Sequence, residues 1–316
     1  MKSVLLIAGG GTLGRYTAQN LRKLGCSVDI ICLEDNTSGD KGLRFYKASA
    51  DLEFLKAFLK DKHYDGIVNF MHYSDPEEYK PVHMLLSENT GHLIFLSSYR
   101  VYADLEHPVK ETSPTLYDTS DDGELLKNDN YAIPKSKAEY FIKNESGTKN
   151  WTIVRPVISF SDRRLDIVTV SGRRIIESAK NKLPVLLPEK AKNLTAGLDW
   201  AGNSGKLIAN LLFKPEAMGE VFTVSSAQNL TWGEVAGIYS ELTGVKFEWT
   251  DIGKYISENP EYKMSPWGLK YDRLFDRKID NAKILKVTGL KKEDFTPIRD
   301  GIKHELEKIE SEENFL

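Results

Sequence analysis

The sequence predicts a doubly wound α/β fold, in which helices cover both faces of a mainly parallel β-sheet. The first observation is a series of short runs of apolar residues without polar alternation, as in strands that are buried on both faces. The second is that these runs alternate with helical patterns over roughly the first 150 residues, which is typical of doubly wound folds. The predicted strands are residues 3–8, 28–33, 43–48, 66–70, 92–97 and 151–156, and the first helices are 12–24 and 51–60.

The second half of the chain has longer helical patterns and fewer strands. Helices are predicted at residues 164–181, 199–213, 231–243 and 293–311, with one strand at 220–224. Residues 112–130 are polar, rich in turn residues and without periodicity, so they are predicted to form a mobile loop. The change of pattern predicts a main domain of residues 1–156 and about 191–224, and a smaller lobe of residues 157–190 and 225–316.

The composition is that of a globular protein and excludes several classes of partner. The 316 residues are 28% charged with a formal net charge of −3, which offers no polybasic surface to a nucleic acid or a membrane. The apolar run at residues 3–8 is too short for a signal sequence, and two cysteines favour a reducing, cytoplasmic location. The six histidines form no HxH or HExxH motif, so no metal ion is expected.

A glycine-rich turn lies between the first predicted strand and the first predicted helix. The segment AGGGTLGR spans residues 8–15, with Ala8 at the first position of a G-x-x-G-x-x-G pattern whose later positions are Gly11 and Gly14. Glycines let the backbone approach a pyrophosphate closely, and the helix N-terminus offers free N–H groups and a partial positive charge. In this context the segment predicts the dinucleotide-binding turn of a Rossmann-type domain.

The second predicted strand ends in two acidic residues, Glu34 and Asp35, about 20 residues after the glycine-rich turn. A carboxylate at this position accepts hydrogen bonds from both hydroxyls of the adenosine ribose and repels a 2′-phosphate. NAD is therefore the predicted cofactor. Arg15, Lys41 and Arg44 are close enough in sequence to keep NADP as an alternative.

Tyr131 and Lys135 are candidates for proton transfer. Residues four apart lie on one face of a helix, so the Lys135 ammonium is expected beside the Tyr131 phenol. A free tyrosine is a poor base at neutral pH, and a neighbouring cation favours its phenolate form. In a chain with 14 tyrosines, the Y-x-x-x-K spacing alone has little specificity. Pro134 fits a helix only in or just past the first turn, which predicts a helix start near residues 128–130.

Ser98 directly follows a predicted buried strand, in the segment LSSYRVY at residues 96–102. The carboxyl ends of the strands in an open parallel sheet face the ligand crevice, so the Ser98 hydroxyl can hydrogen-bond a reacting oxygen near Tyr131. The alternative is that Ser98 only caps a turn.

In their order and spacing these motifs resemble the extended short-chain dehydrogenase/reductases, in the branch of NAD-dependent epimerases and dehydratases. The resembling segments of the first half are AGGGTLGR (8–15), ASADL (48–52), GIVNF (66–70), LSSYRVY (96–102), YAIPKSKAE (131–139) and TIVRP (152–156). Those of the second half are LDWAG (198–202), GEVFTVSSAQNLTWGEVA (219–236) and DNAKILKVTGL (280–290). The resemblance covers most of the chain and implies Ser98, Tyr131 and Lys135 as the catalytic set.

The resemblance also implies which residues contact the cofactor and the substrate. The implied cofactor residues are Gly9, Gly11, Thr12, Leu13, Gly14, Glu34, Asp35, Asp51, Leu52 and Phe70. Among them, Asp51 would meet the adenine. Arg273 and Arg277 precede the DNAKIL segment, where relatives often bind a substrate diphosphate, a group that a guanidinium can contact through two hydrogen bonds.

Two departures from the family pattern narrow the prediction. Only residues 72–90 fill the gap in which relatives carry a long helix of the dimer interface, so the usual homodimer is in doubt. Family dehydratases place an acidic pair just after the serine position, whereas this chain has Tyr99 and Arg100 there, so a dehydratase is rejected.

The sequence thus predicts an NAD(P)-dependent epimerase or reductase that acts on a nucleotide sugar or a similar hydroxylated small molecule. One alternative is an NADPH-dependent reductase of a small carbonyl compound. Another is a non-catalytic dinucleotide-sensing or RNA-binding relative, which the shortened 72–90 segment and Ala8 favour and the retention of Ser98, Tyr131 and Lys135 disfavours.

Overall fold

A computed structural model describes residues 1–259 and 266–313 of the chain. The strands are β1 (Ser3–Ile7), β2 (Ser27–Cys32), β3 (Leu43–Lys47), β4 (Gly66–Asn69), β5 (Leu93–Leu96), β6 (Trp151–Pro156), β7 (Ile158–Phe160), β8 (Pro184–Pro188), β9 (Leu198–Trp200), β10 (Glu220–Val224) and β11 (Lys246–Thr250). The α-helices are α1 (Thr12–Lys23), α2 (Leu52–Leu59), α3 (Pro76–Glu88), α4 (Leu116–Thr119), α5 (Gly123–Asn128), α6 (Ala132–Asn144), α7 (Gly172–Lys180), α8 (Ala201–Leu211), α9 (Trp232–Thr243), α10 (Ile252–Glu258), α11 (Ala282–Thr288) and α12 (Ile298–Glu313). Residues 260–265 and 314–316 of the predicted second lobe lie outside the described residues.

Seven parallel strands form the main sheet, in the order β3-β2-β1-β4-β5-β6-β10. Val4 of β1 pairs with Val28 of β2 on one side and with Gly66 of β4 on the other. One face of the sheet packs against α1, α8 and α11, and the other against α2, α3 and α6, so the central strands are buried on both faces. The predicted doubly wound α/β fold is confirmed.

A second apolar core lies beside the main sheet. Two short parallel pairs, β7 with β9 and β8 with β11, pack with α7, α9, α10 and α12 around residues such as Phe160 and Trp232. Tyr99 and Val101 of the first predicted domain also belong to this core, and the predicted limits of the two lobes stay a prediction. None of the helices in the described part of the chain has the length and apolar composition that a membrane span requires.

The secondary structure predicted for residues 164–181 and 112–130 is wrong. The helix predicted at 164–181 begins only at Gly172, after the cap residue Ser171, because Leu165, Ile167 and Val170 are buried in a stretch with two antiparallel bridges. The predicted loop at 112–130 contains α4 and α5. Each has an N-cap side chain, Thr115 and Asp122, that accepts a backbone N–H of the first turn.

A buried ion pair joins α6 to the sheet at the edge that faces the candidate site. Arg155 of β6 donates to both carboxylate oxygens of Glu139, with an Nε–Oε1 distance of 2.9 Å and an Nη2–Oε2 distance of 2.5 Å. Ser97, which follows β5, donates its hydroxyl to Glu139 at 2.5 Å, and Arg155 also donates to the carbonyl of Glu111 at 3.2 Å. Both charged side chains are about 98% buried. The network therefore fixes α6 relative to two strand ends.

Breaking this pair should destabilise the fold strongly. Arg155→Met leaves the Glu139 carboxylate buried without its partner, and we expect the free energy of unfolding to fall by about 3–5 kcal/mol in urea denaturation. The double variant Glu139→Met/Arg155→Met should recover most of this loss, because it leaves neither member of the pair buried without the other. Arg299→Gln, which breaks the exposed pair with Glu241, is the matched control and should change nothing measurable. A loss in Arg155→Met no larger than in this control would contradict the assignment.

Candidate functional site

A cavity of about 410 Å³ lies at the carboxyl ends of the central strands. Its walls come from both parts of the chain. They include Gly11–Gly14 of the glycine-rich turn, Phe70 after β4, Ser98 after β5, Tyr131 before α6 and Arg273 of the second core region. The position is the one at which open parallel sheets bind ligands, and a volume of several hundred Å³ suits a small molecule.

The glycine-rich turn is built by close backbone contacts. A Cβ atom on Gly14 would lie 2.3 Å from the carbonyl oxygen of Gly9, whereas a Cβ atom on Gly11 would meet nothing within 4 Å. Ala8 has a φ of 54°, in the left-handed region that favours glycine, which explains the glycine at this position in the family pattern. Gly11 precedes α1 without a side-chain cap, so the first N–H groups of α1 are available to a phosphate.

The two acidic residues after β2, Glu34 and Asp35, have different surroundings. Glu34 lines a second cavity of about 200 Å³ that shares Ala8 and Gly11 with the first. The Asp35 side chain is 78% exposed and forms an ion pair with Lys47 at 3.2 Å. Of the two carboxylates, Glu34 is therefore the one that lies at a cavity beside the glycine-rich turn.

The remaining sequence-predicted cofactor residues have different surroundings. Thr12 and Leu13 line the larger cavity, and Gly9 lies beneath the turn, where a Cβ atom would approach that of Leu6 to 2.7 Å.

Asp51 caps α2 by accepting the Phe54 N–H at 2.9 Å, and the partly buried Leu52 packs against the core below. The walls of the smaller cavity include Ser49 and Ala50 rather than Asp51 or Leu52.

Sequence reasoning missed a segment of the second region that crosses the glycine-rich turn. Arg163 donates to the carbonyl of Gly10 at 3.1 Å, and its guanidinium lies 3.8 Å from the Glu34 carboxylate. Asp162 forms an ion pair with Arg15 at 3.3 Å. The sequence feature that could have indicated this contact is the charged SDRR segment at residues 161–164, directly after an apolar strand. It could not be interpreted from sequence because the residues that Asp162 and Arg163 bind in the turn are about 150 residues away along the chain.

Ser98 has the geometry of a hydrogen-bond donor to a ligand. Its Oγ accepts the backbone N–H of Arg100 at 3.2 Å, at the start of a 3₁₀ turn over Tyr99–Val101. A hydroxyl that accepts one hydrogen bond keeps its own proton for donation. Ser98 thus caps a turn and also lies on the cavity wall, so the two interpretations of the sequence do not exclude each other.

The Tyr131 ring is enclosed by two side chains at the cavity wall. The His72 ring centroid lies 5.0 Å from that of Tyr131, and the guanidinium carbon of Arg100 lies 4.8 Å from it. His72 also contacts the carbonyl of Asn130 through Nε2 at 2.9 Å. Burial and the nearby Lys135 charge lower the pKa of His72, so this ring is neutral at pH 7.

Lys135 is buried behind the cavity wall. Its Nζ donates to the carbonyls of Leu96 at 2.5 Å and Met71 at 3.2 Å, which uses two of its three N–H groups. Burial lowers the pKa of the Lys135 ammonium to about 7. Among the described residues no hydrogen bond joins Lys135 to the Tyr131 hydroxyl, and Tyr131 is the N-cap of α6 rather than a helical residue. The expectation that both residues belong to one helix that starts near residues 128–130 is wrong, because α6 begins at Ala132, whereas Pro134 does lie in the first turn.

The two arginines predicted to bind substrate have different positions. Arg273 lines the cavity, where its Nη1 donates to Asp272 and to the Tyr99 hydroxyl. Arg277 is 1% exposed, and its guanidinium donates to the carbonyls of Tyr102 at 3.0 Å and Tyr271 at 3.2 Å. The structure thus brings Arg273 to the cavity together with Ser98 and Tyr131, and Arg277 lies behind them.

Comparison with known proteins gives matches at the level of structure. No protein-family model and no curated protein sequence matches the chain. The UDP-glucose 4-epimerase of Thermus thermophilus, solved with NAD, is 16% identical with a TM-score of 0.66, covering 98% of this chain and 99% of that one. The Thermotoga maritima UDP-glucose 4-epimerase, solved with UDP-glucose, is 15% identical with a TM-score of 0.68, covering 98% and 99%. MoeE5, solved with UDP-glucuronic acid and NAD, is 16% identical with a TM-score of 0.68, covering 99% and 100%.

These identities are low, and the likeness extends over the whole chain. The structure therefore has the fold of these NAD-binding and sugar-nucleotide-binding proteins, which is the fold that the sequence motifs imply.

The glycine-rich turn offers a test with a matched pair of variants. In Gly14→Ala the new Cβ atom would overlap the backbone of Gly9, and we expect the free energy of unfolding without ligand to fall by about 1–3 kcal/mol. Gly11→Ala meets open space at a φ of −77° and should leave the stability within about 0.5 kcal/mol of wild type. Urea denaturation of both variants checks this, and equal losses would show that the turn is not packed as described.

The buried ammonium of Lys135 predicts how stability depends on pH. Its pKa of about 7 in the folded chain lies below the value of about 10.4 in an unfolded chain. Between these values the unfolded chain binds more protons, so Lys135 makes the free energy of unfolding rise with pH, by at most about 1.4 kcal/mol per pH unit. The difference in unfolding free energy between wild type and Lys135→Met should therefore rise from about pH 7 to about pH 9 in urea denaturation. The exposed neighbour Lys137→Met is the control, and a flat difference for Lys135→Met would contradict the burial of a titrating amine.

Proposed function

We propose that this protein is an NAD-dependent epimerase of the extended short-chain dehydrogenase/reductase type that acts on a nucleotide sugar. The observation that carries the proposal is one cavity whose wall includes the Ser98 hydroxyl, the Tyr131 phenol and Gly11–Gly14 of the dinucleotide-binding turn. The structural neighbours solved with NAD, UDP-glucose and UDP-glucuronic acid support it, as do the sequence motifs.

The residues of the turn and of the smaller cavity fit a dinucleotide. The backbone at Gly11–Gly14 would bind the pyrophosphate, because the first N–H groups of α1 have no side-chain cap there. Glu34 would accept the ribose hydroxyls, and the larger cavity beside Phe70 would take the nicotinamide. When bound, NAD supplies reversible two-electron oxidation of a substrate carbinol carbon.

NADP stays the alternative cofactor, and Arg163 is the residue that favours it. A guanidinium 3.8 Å from Glu34 can also contact a 2′-phosphate, but Glu34 itself would repel that group. We infer that Arg163 offsets part of the Glu34 charge and that NAD is preferred.

The proposed chemistry of the chain's own residues is proton transfer at a substrate hydroxyl. Tyr131 would remove the hydroxyl proton as the carbon is oxidised and return it when the carbon is reduced. Ser98 would donate its hydroxyl proton to the same substrate oxygen, since its Oγ already accepts the Arg100 N–H. Lys135 would donate its third N–H to the bound ligand from behind the wall. Arg273 is the candidate for the substrate diphosphate, and Arg277 would keep the surrounding loops in position.

Turnover of nucleotide sugars tests the proposal. Purified protein with NAD and a panel of UDP- and dTDP-sugars should form an epimerised product, and Tyr131→Phe should lower kcat by about 100-fold or more. Tyr140→Phe, an exposed tyrosine on α6, is the control and should keep full activity. An epimerase returns NAD unchanged, whereas stoichiometric consumption of added NADH would indicate a reductase. Turnover that Tyr131→Phe leaves intact would refute the proposed mechanism.

A further inference from the structure

Arg100 is a cation on the cavity wall that the proposed mechanism does not use. It follows Ser98 by two residues, and its guanidinium lies over the Tyr131 ring, with its central carbon 4.8 Å from the ring centroid. About a fifth of the side chain is exposed. Arg100 therefore lies next to the two residues that we propose to contact the reacting hydroxyl.

The carboxylates nearest to Arg100 already accept hydrogen bonds from other donors. The two oxygens of Asp272 accept the Tyr99 hydroxyl and Nη1 of Arg273, and Arg100 Nε is left 3.7 Å from this group. The contact of Arg100 with Asp129 is also long, at 3.6 Å from Nη2 to Oδ2. Both distances exceed the 2.7–3.2 Å range of N–H···O hydrogen bonds.

The other carboxylate oxygen of Asp129 accepts hydrogen bonds at the start of α6. Its Oδ1 accepts the backbone N–H groups of Tyr131 and Ile133, each at 3.0 Å. The carboxylate is 98% buried, so it has little freedom to turn toward Arg100. Asp129 thus holds the start of α6 through two backbone N–H groups and is only a distant counter-charge for Arg100.

The guanidinium of Arg100 is consequently left with unused donors. It has five N–H groups, and it donates no hydrogen bond to any other residue that the structure describes. Its Nε is buried without a partner. Asp272 and Asp129 accept hydrogen bonds from other donors, so neither gives the Arg100 guanidinium a hydrogen-bonded counter-charge. Such a group binds an anion with favourable charge and geometry.

We propose that Arg100 binds a carboxylate on the sugar of the substrate, so that the preferred substrate is a nucleotide-linked uronic acid. The inference rests on the proposed function. The anion belongs on the sugar rather than in the diphosphate because Arg100 contacts Tyr131, which we place at the reacting carbon. A planar guanidinium matches a carboxylate with two parallel hydrogen bonds, and a neutral hydroxymethyl group cannot replace that match.

Equilibrium binding of two ligands that share the same UDP group tests this. Calorimetric titration in the presence of NAD compares UDP-glucuronic acid with UDP-glucose, so turnover is not needed. Wild type should bind the acid about tenfold or more tightly than the neutral sugar. Arg100→Gln should abolish this preference by weakening the acid alone, with UDP-glucose within about twofold of wild type. Arg100→Lys should keep part of the preference, and Arg299→Gln, remote from the cavity, should keep all of it.

The other outcomes separate this inference from the proposed function. If Arg100→Gln weakens both ligands equally while its thermal stability stays that of wild type, Arg100 acts on the shared diphosphate and the carboxylate assignment is overturned. If wild type binds both ligands and Arg100→Gln changes neither, the inference fails and the proposed function stands. If wild type binds neither ligand, both the proposed function and this inference fail.

Discussion

The hydrogen-bonded ion pair between Glu139 and Arg155 is the interaction on which the geometry of the site depends. It connects α6, the end of β5 through Ser97, and β6, so three elements of the sheet edge share one buried carboxylate. Ser98 directly follows Ser97, and Tyr131 stands at the start of α6, the helix that carries Glu139, so both are connected to this network. A buried pair of this kind is costly to desolvate, and its role here is to fix positions rather than to add net stability.

A second constraint is the distribution of charge around the cavity. The chain carries a net charge of −3, yet Arg100, Arg164 and Arg273 line the cavity, and Asp272 is the acidic residue among its described walls. Burial raises the interaction energy of charges, so the mostly buried Arg100 and Arg273 matter more for ligand choice than the overall sum. The arrangement suits a substrate with several negative charges, which is the property shared by sugar nucleotides.

The sequence predicts most of the fold and part of the site, and the division follows from the range of the interactions. Strands and the glycine-rich turn are encoded by local apolar runs and by backbone requirements, and β6 and β10 agree with prediction at both ends. The helix predicted at 164–181 failed because tertiary burial overrode a local pattern. Arg100 could not be assigned from sequence, because its carboxylate neighbour Asp272 is more than 170 residues away and joins it only in the folded chain. Hydrophobic periodicity likewise could not place Tyr131 at the N-cap of α6, where its backbone N–H donates to Asp129.

In the proposed function, one cavity receives both the nicotinamide end of a dinucleotide and the sugar end of a nucleotide sugar. The decisive measurement is a crystal structure of the protein with NAD and UDP. We expect a pyrophosphate at Gly11–Gly14, an adenosine ribose on Glu34, and the nicotinamide ring between Phe70 and the Ser98 and Tyr131 hydroxyls, with the UDP diphosphate near Arg273. A dinucleotide bound away from the glycine-rich turn, or UDP bound outside this cavity, would contradict it.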